Sequence, residues 1–396
     1  MPSGPVEELN PPRRTLLGPG PSDVDPRVLR AMSAPILGYL DPEFIKIMDG
    51  VAQMLREVFG TEESFTLPVS GTGSAGMEAA LANLLEPGDV AVVVENGFFG
   101  LRLEEIASRQ GATVVPVPVE WGRPADPEAV EAVLKQQQKV KLLAAVHAET
   151  STGVLQPLDG LSKLAHDHDA LFLVDAVTSL GGSPVDFDDV DIDFAYSATQ
   201  KCLGAPPGMS PVAVSPRGLD AIKGRTEKAR SWYLDLGLLL QYWAGGTRVY
   251  HHTAPMSMIY ALREALRLVL QEGLENRFAR HRRNGRALRA GLSALGLELL
   301  VPEEYCTYQL TSVHVPEGVD DAGLRRRLLT EYNIEIGGGL GQFASKMWRI
   351  GLMGESSTSS NVLILLSSLE ALLPQFGYEV ATGAGVAAAS QSLASE

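Results

Sequence analysis

Short apolar runs alternating with helix-patterned segments constrain this chain more than any other feature. A run opening at Phe65, then Ala91–Val94, Thr113–Val119, Val140–Val146, Leu171–Asp175, Phe194–Tyr196 and Pro211–Val214, read as strands. Between and before them, Pro42–Phe59, Leu101–Arg109 and Asp126–Gln138 carry helical patterns. In the first of these, Phe44, Ile47, Met48, Val51, Leu55 and Val58 fall on one face. Strands alternating with helices imply an α/β fold: a mainly parallel sheet flanked by helices. Prolines inside Thr113–Val119 predict a place near the sheet edge, where a missing N–H costs least.

A chain of 396 residues exceeds one ordinary core, so two domains are expected. Residues 1–25 are rich in proline and glycine (Pro11-Pro12, Gly18-Pro19-Gly20-Pro21) and read as an extended N-terminal arm. The large domain is assigned to 26–270 and a smaller C-terminal α+β domain to 271–380. In the latter, strands Thr311–Val315, Asn333–Ile336 and Met347–Ile350 accompany helices Asp321–Tyr332 and Ser359–Leu373. Met256–Leu295 reads as helix interrupted near Gly273 and Gly285, and Arg225–Thr253 as irregular and aromatic. The Ala/Gly/Ser-rich stretch 381–396 is expected to fray.

Charge narrows the function. With 33 Lys+Arg against 48 Asp+Glu the net charge is −15, which opposes general nucleic-acid binding and an anionic membrane surface. Two cysteines, Cys202 and Cys306, make no disulfide framework, and Met1–Asn10 lacks the apolar core of a signal peptide. A cytoplasmic location is the expectation. The neighbours His251 and His252 should point apart, with no third metal ligand in view, and Asp186–Asp193 reads as a solvated connection.

Two residues carry the chemistry. Asp175 ends one strand and Lys201 lies just past the next, in Ser197-Ala198-Thr199-Gln200-Lys201, so the two can face each other across the crevice of an α/β sheet. That pair suits pyridoxal phosphate: the lysine forms a Schiff base, and the carboxylate holds the pyridine nitrogen protonated. Upstream, Ser70-Gly71-Thr72-Gly73-Ser74-Ala75-Gly76 reads as a glycine turn opening a helix, an anion site by its free N–H groups. Gly71, Gly73 and Gly76 also fit G-x-G-x-x-G, with Glu95 about where a ribose-binding acid belongs. A nicotinamide-dependent oxidoreductase is therefore the competing reading, and it leaves Asp175 and Lys201 without a role.

Val174-Asp175-Ala176-Val177-Thr178-Ser179-Leu180-Gly181-Gly182 together with Ser197–Lys201 resembles the fold-type I, class V aminotransferases, most closely those acting with glyoxylate on alanine or serine. The resemblance runs from Leu17-Gly18-Pro19-Gly20-Pro21 to Arg349-Ile350-Gly351. It implies that Thr72, Gly73, Ser74 and Gln200 surround the cofactor phosphate, that Phe99 and Val177 pack on its ring, and that Thr150 bonds near the ring hydroxyl. It implies a homodimer in which Tyr250 and Thr253 serve the partner's site, Arg349 as the clamp for a substrate carboxylate, and Gly20 and Tyr39 beside substrate. Phe99 stands where relatives stack a tryptophan, and Ser74 where some carry histidine. The implied activity moves the amino group of a small amino acid, alanine or serine, to glyoxylate or pyruvate in two half-reactions. Another class V activity, with a different donor or a lyase outcome, is the nearest alternative.

Overall fold

The apolar runs pair into one sheet in a computed structural model that describes residues 8–244 and 246–395. Its strands are β1 (Phe65–Ser70), β2 (Val90–Glu95), β3 (Thr113–Pro118), β4 (Leu142–Val146), β5 (Leu171–Asp175), β6 (Phe194–Tyr196) and β7 (Met209–Val214). Among the described residues they form a seven-stranded sheet in the order β1-β7-β6-β5-β4-β2-β3. Pairing is parallel from β6 through β3, whereas β7 runs antiparallel to both β1 and β6. Strands β4 to β7 are buried at every position, which is why they read as unbroken apolar runs rather than alternating ones. The proline-bearing β3 lies at the edge, as its composition predicts.

Helices cover the sheet. In α1 (Pro42–Phe59), Asp41 caps the first turn by accepting from the Glu43 N–H at 2.8 Å, and Gly60, at φ 75°, ends the helix in the left-handed region. Its face of Phe44, Met48, Val51, Leu55 and Val58 is buried in the large core, each side chain contributing about 1.5–3 kcal/mol on transfer from water. Helices α2 (Gly73–Leu84) and α3 (Phe98–Arg109) follow β1 and β2. Then α4 (Met256–Glu272) and α5 (Leu274–Ala294) lead into the second core. Gly273 breaks the pair, but α5 continues through Gly285, contrary to expectation. A Cβ at Gly285 would lie 2.6 Å from the Tyr308 carbonyl oxygen, so that glycine serves close packing.

The second core joins Leu288, Leu292, Val313, Leu324, Trp348 and Leu365 around a three-stranded antiparallel sheet of Leu310–His314, Met347–Gly351 and Gly337–Gly338. The N-terminal arm belongs to it. Thr15–Leu16 pairs in parallel with Ile334–Glu335, and Leu17 is buried in the same cluster. The arm then continues past Gly20 toward Lys201.

Four further expectations need correction. The C-terminal stretch holds a helix, α7 (Ala384–Ala394), against α5 and α6 (Ser359–Leu372). Glu370 of α6 accepts from the N–H groups of Gly383, Gly385 and Val386, so a carboxylate from a neighbouring helix caps α7. The aromatic region contains the helix Leu236–Trp243, too short and too uniformly apolar to show a periodic face. His251 and His252 turn toward each other, Nδ1 to Nδ1 at 2.8 Å, because Trp232, Tyr233 and Tyr242 pack around their rings. Asp193 is buried, accepting from the Phe172 N–H and Arg217 Nη1 at 2.8 Å and facing His166 Nε2 at 3.0 Å, so it is not a solvated link. Among the described residues there is no group of three potential metal ligands and no helix long and apolar enough to cross a membrane.

Candidate active site

The carboxyl ends of β1, β4, β5 and β6 open on a cavity of about 180 Å³. Nine of the residues singled out in the sequence line it: Thr72, Gly73, Ser74, Phe99, Thr150, Asp175, Val177, Gln200 and Lys201. Parallel pairing sets Asp175 of β5 directly beside Tyr196 of β6. The Tyr196 hydroxyl donates to Asp175 Oδ2 at 2.7 Å, and the Val177 N–H donates to Oδ1 at 2.8 Å. Burial pushes the Asp175 carboxyl up to about 6, opposed by Tyr196, Val177 and the Lys201 charge.

Lys201 is the buried cation of this cavity. Burial, with Arg349 nearby, lowers it to about 8 despite Asp175 and Glu149, so its amine is nucleophilic near neutral pH. The arm packs directly on it. Lys201 Nζ donates to the Pro19 carbonyl, and Ser22 Oγ donates to the Lys201 carbonyl at 2.9 Å. A Cβ on Gly20, which already sits at φ 109°, would lie 2.8 Å from Lys201 Nζ. Gly20 thus lies against the Lys201 side chain.

The glycine turn lies at the other end of the cavity. Thr72 precedes α2 without making a side-chain cap, so its hydroxyl and the first N–H groups of α2 are left for a ligand. Gly73 lets the helix start approach the site, because a Cβ there would meet Ala198 Cβ at 3.0 Å and Val177 Cγ2 at 3.2 Å. Gly76 seats the helix on the sheet, its missing Cβ leaving room for Ser210 Oγ. The dinucleotide reading fails on topology: β1 is an edge strand whose neighbour is antiparallel, so the turn opens no βαβ unit. Glu95 is turned to Glu104, and burial, with that neighbouring carboxylate, pushes it up to about 7.

Other assigned residues lie around the cavity rather than in its wall. Arg349 is buried, its Nε donating to the Gly338 carbonyl at 2.7 Å and its Nη1 to the Thr150 carbonyl at 3.1 Å. Among the described residues it has no carboxylate within ion-pair distance. Tyr39 and Tyr250 pack on each other with ring centroids 4.6 Å apart, and Tyr250 faces Thr253 Oγ1 at 3.4 Å. That group is separate from the cavity wall of its own chain.

Sequence reasoning missed three wall residues: Met77, Arg102 and Tyr196. Tyr196 ends the strand before Lys201, and pairing register alone makes it Asp175's neighbour. Arg102 lies three residues after Phe99, hence on the same helix face. Its guanidinium sits 4.8 Å from the Phe99 ring centroid, and its Nη1 lies 3.5 Å from Ser74 Oγ.

These features fit pyridoxal phosphate. The uncapped start of α2 suits a phosphate, and Gln200 Oε1 is buried with no hydrogen-bond partner among the described residues. The carboxyl of Asp175, the amine of Lys201 and the apolar side chains of Phe99 and Val177 line the same cavity. Comparison with known proteins agrees. Residues 18–356 match the family described as aminotransferase class-V. The (S)-ureidoglycine–glyoxylate transaminase of Bacillus subtilis is 43% identical over 400 residues, covering 96% of each chain. The alanine–glyoxylate aminotransferase of Rattus norvegicus is 44% identical over 356 residues, covering 89% of this chain and 86% of that one. Among solved structures, the B. subtilis ureidoglycine–glyoxylate aminotransferase superposes with a TM-score of 0.95 at 44% identity, over 98% of this chain and 99% of that chain. An alanine–glyoxylate aminotransferase from Nostoc sp. gives 0.91 at 48% identity, over 93% and 97%. The chain has fold type I, its cofactor is pyridoxal phosphate, and it belongs to the class-V aminotransferases.

Proposed function

We propose that this enzyme transfers the amino group of a small amino acid to glyoxylate, with Lys201 as the catalytic base. One observation carries the reading: the buried Lys201 shares a small cavity with Asp175, beside an arginine that has no acid partner among the described residues. When bound, the cofactor supplies the electron sink. Asp175, held by Tyr196 and Val177, keeps the pyridine nitrogen protonated. Lys201 carries a proton between the substrate Cα and the cofactor C4′. Arg349 presents its remaining N–H groups to the carboxylate that donor and acceptor share. The N-terminus of α2, Thr72, Ser74 and Gln200 hold the phosphate, and Phe99 and Val177 pack on the ring.

The acceptor assignment leans on the two relatives, both of which are named for glyoxylate. For the donor, the two relatives named for alanine favour alanine, with serine as the other small candidate. A second reading, an (S)-ureidoglycine donor, is favoured by the near-complete coverage and 0.95 TM-score of the B. subtilis enzyme. Initial rates of the purified enzyme with glyoxylate and each of the three donors decide between them. Amino transfer to glyoxylate from none of them, nor from other small amino acids, would overturn the acceptor assignment.

The site is further proposed to be completed by a second copy of the chain. Eight large apolar side chains are exposed in two segments: Leu29, Ile36, Tyr39 and Leu40 in one, Trp232, Tyr233, Val249 and Tyr250 in the other. The Tyr39–Tyr250 contact makes these segments neighbours on one surface. Apolar area of this kind marks an association face, which supports the reading that Tyr250 and Thr253 serve a partner's phosphate. A reducing cytoplasm is the proposed location, supported by two free, buried cysteines.

A further inference from the structure

Glu149 lies next to Thr150 with no exposed surface, and the chemistry above leaves it unused. A carboxylate buried this completely is costly unless donors surround it. Three do. Ser151 N–H and Ser151 Oγ donate to Oε1 at 2.9 and 2.6 Å, and the Phe99 N–H donates to Oε2 at 3.2 Å. Ser151 Oγ in turn accepts from the Phe98 N–H at 2.9 Å. Helix α3 begins after Gly97, which has no side chain to cap it. Glu149 and Ser151 therefore supply that cap from a different part of the chain, with the carboxylate at the positive end of the helix.

The room for this arrangement is made by Gly97. A Cβ there would lie 2.2 Å from Glu149 Cγ and 2.6 Å from Ser151 Oγ. Burial pushes the Glu149 carboxyl up to about 7 while the three donors pull it down. Its charge is felt by Asp175, Tyr196, Lys201 and Arg349.

What the tie joins matters more than the tie itself. One end is the first turn of α3, which carries Phe99 and Arg102 into the cavity wall. The other is the loop after β4, whose Thr150 lines the same cavity and whose Thr150 carbonyl accepts from Arg349 Nη1. We propose that Glu149 is a positioning residue for transamination: it caps α3 from the Thr150 loop and so fixes Phe99, Thr150 and Arg349 relative to one another. This rests on the site reading above and names one more residue on which that site depends.

Glu149→Gln is the informative change. Nearly isosteric, it turns one acceptor oxygen into an NH₂ group, so one of the three donors faces another donor. Four readouts apply to wild type and variant: borohydride fixation of cofactor on Lys201, affinity of the cofactor-free protein for pyridoxal phosphate by fluorescence, visible circular dichroism of the bound cofactor, and kcat/KM for donor and acceptor. The expected result is an altered dichroism band, about tenfold weaker cofactor binding and a roughly ten- to hundredfold lower kcat/KM for both substrates. Fixation at saturating cofactor should still land on Lys201. Wild-type dichroism, affinity and kcat/KM in Glu149→Gln would overturn the inference, even if thermal stability fell. Failure of the wild type to fix cofactor on Lys201 would instead overturn the site reading. If Glu149→Gln does not fold, Ser151→Ala cuts the same tie and is expected to shift dichroism and efficiency in the same direction. An unshifted Ser151→Ala would then overturn the proposal.

Discussion

Replacing Tyr196 by phenylalanine should move the acid limb of the pH–rate profile upward. The Tyr196 hydroxyl donates to Asp175 Oδ2 at 2.7 Å, and its loss leaves the Val177 N–H on Oδ1. A hydrogen bond to a charged group contributes about 1.5–3 kcal/mol, equivalent to roughly one to two pKa units. Burial already holds the Asp175 carboxyl at about 6, so the variant should reach about 7 to 8. At neutral pH its ionised share then drops from about nine-tenths to between about a half and a tenth. Ionised Asp175 is the form that keeps the pyridine nitrogen protonated. The bound cofactor's own positive charge lowers Asp175 in both proteins, so the assay reads the difference between them. Measured as kcat/KM against pH, the acid inflection should rise by about one to two units, with the plateau above it near wild type. In the cofactor-free protein the same shift affects stability. A carboxyl raised from 3.8 to about 6 contributes stability that is present below the lower value and lost as pH rises through the upper one. In Tyr196→Phe that loss should extend to about pH 7–8. An unmoved inflection together with an unchanged stability profile would show that the hydroxyl does not govern Asp175.

Arg349→Lys keeps a charge but loses the planar fork, so kcat/KM should fall about ten- to hundredfold for donor and acceptor alike. Cofactor affinity should stay near wild type; a fall in melting temperature with unchanged efficiency would mark Arg349 as structural. Mixing inactive Lys201→Ala chains with inactive chains changed at both Tyr250 and Thr253 should restore part of the activity, because one site in each heterodimer carries neither defect. Full activity in a verified monomer would contradict the composite site. Lys201 is held at about 8, so capture of pyridoxal phosphate by the cofactor-free protein should accelerate as pH rises toward that value. A pH-independent rate would mean the lysine is already neutral lower down.

Much of this site was legible because strand order and side-chain chemistry coincide. Asp175 ends one buried strand and Lys201 follows the next, and the two strands pair in parallel, so linear order alone carried them to one crevice. The turn at Gly71–Gly76 was legible as an anion site for the same reason, although two chemistries shared its pattern. Asp175 and Lys201 weighed against the dinucleotide reading, and the edge position of β1 removed it; sheet order is not written in any short stretch. Tyr196 was hidden by its own hydrophobicity: in a buried strand it reads as packing, and its role appears once the register places it against Asp175. Glu149 was hidden by the opposite bias. A carboxylate in a polar loop reads as solvated, and its burial depends on Gly97, some fifty residues away, having no side chain. Asp193 misled in the same manner. The C-terminal helix escaped because alanine and glycine, which suggest fraying in isolation, also permit close packing once Glu370 caps the helix start.

The most direct test is to reduce the purified protein with borohydride and locate the added mass by peptide mapping. Covalent fixation of the phosphopyridoxyl group on Lys201, lost in Lys201→Ala, is the predicted result. Label on a different lysine, or no label from a protein saturated with pyridoxal phosphate, would contradict the assignment of Lys201 as the residue that carries the cofactor.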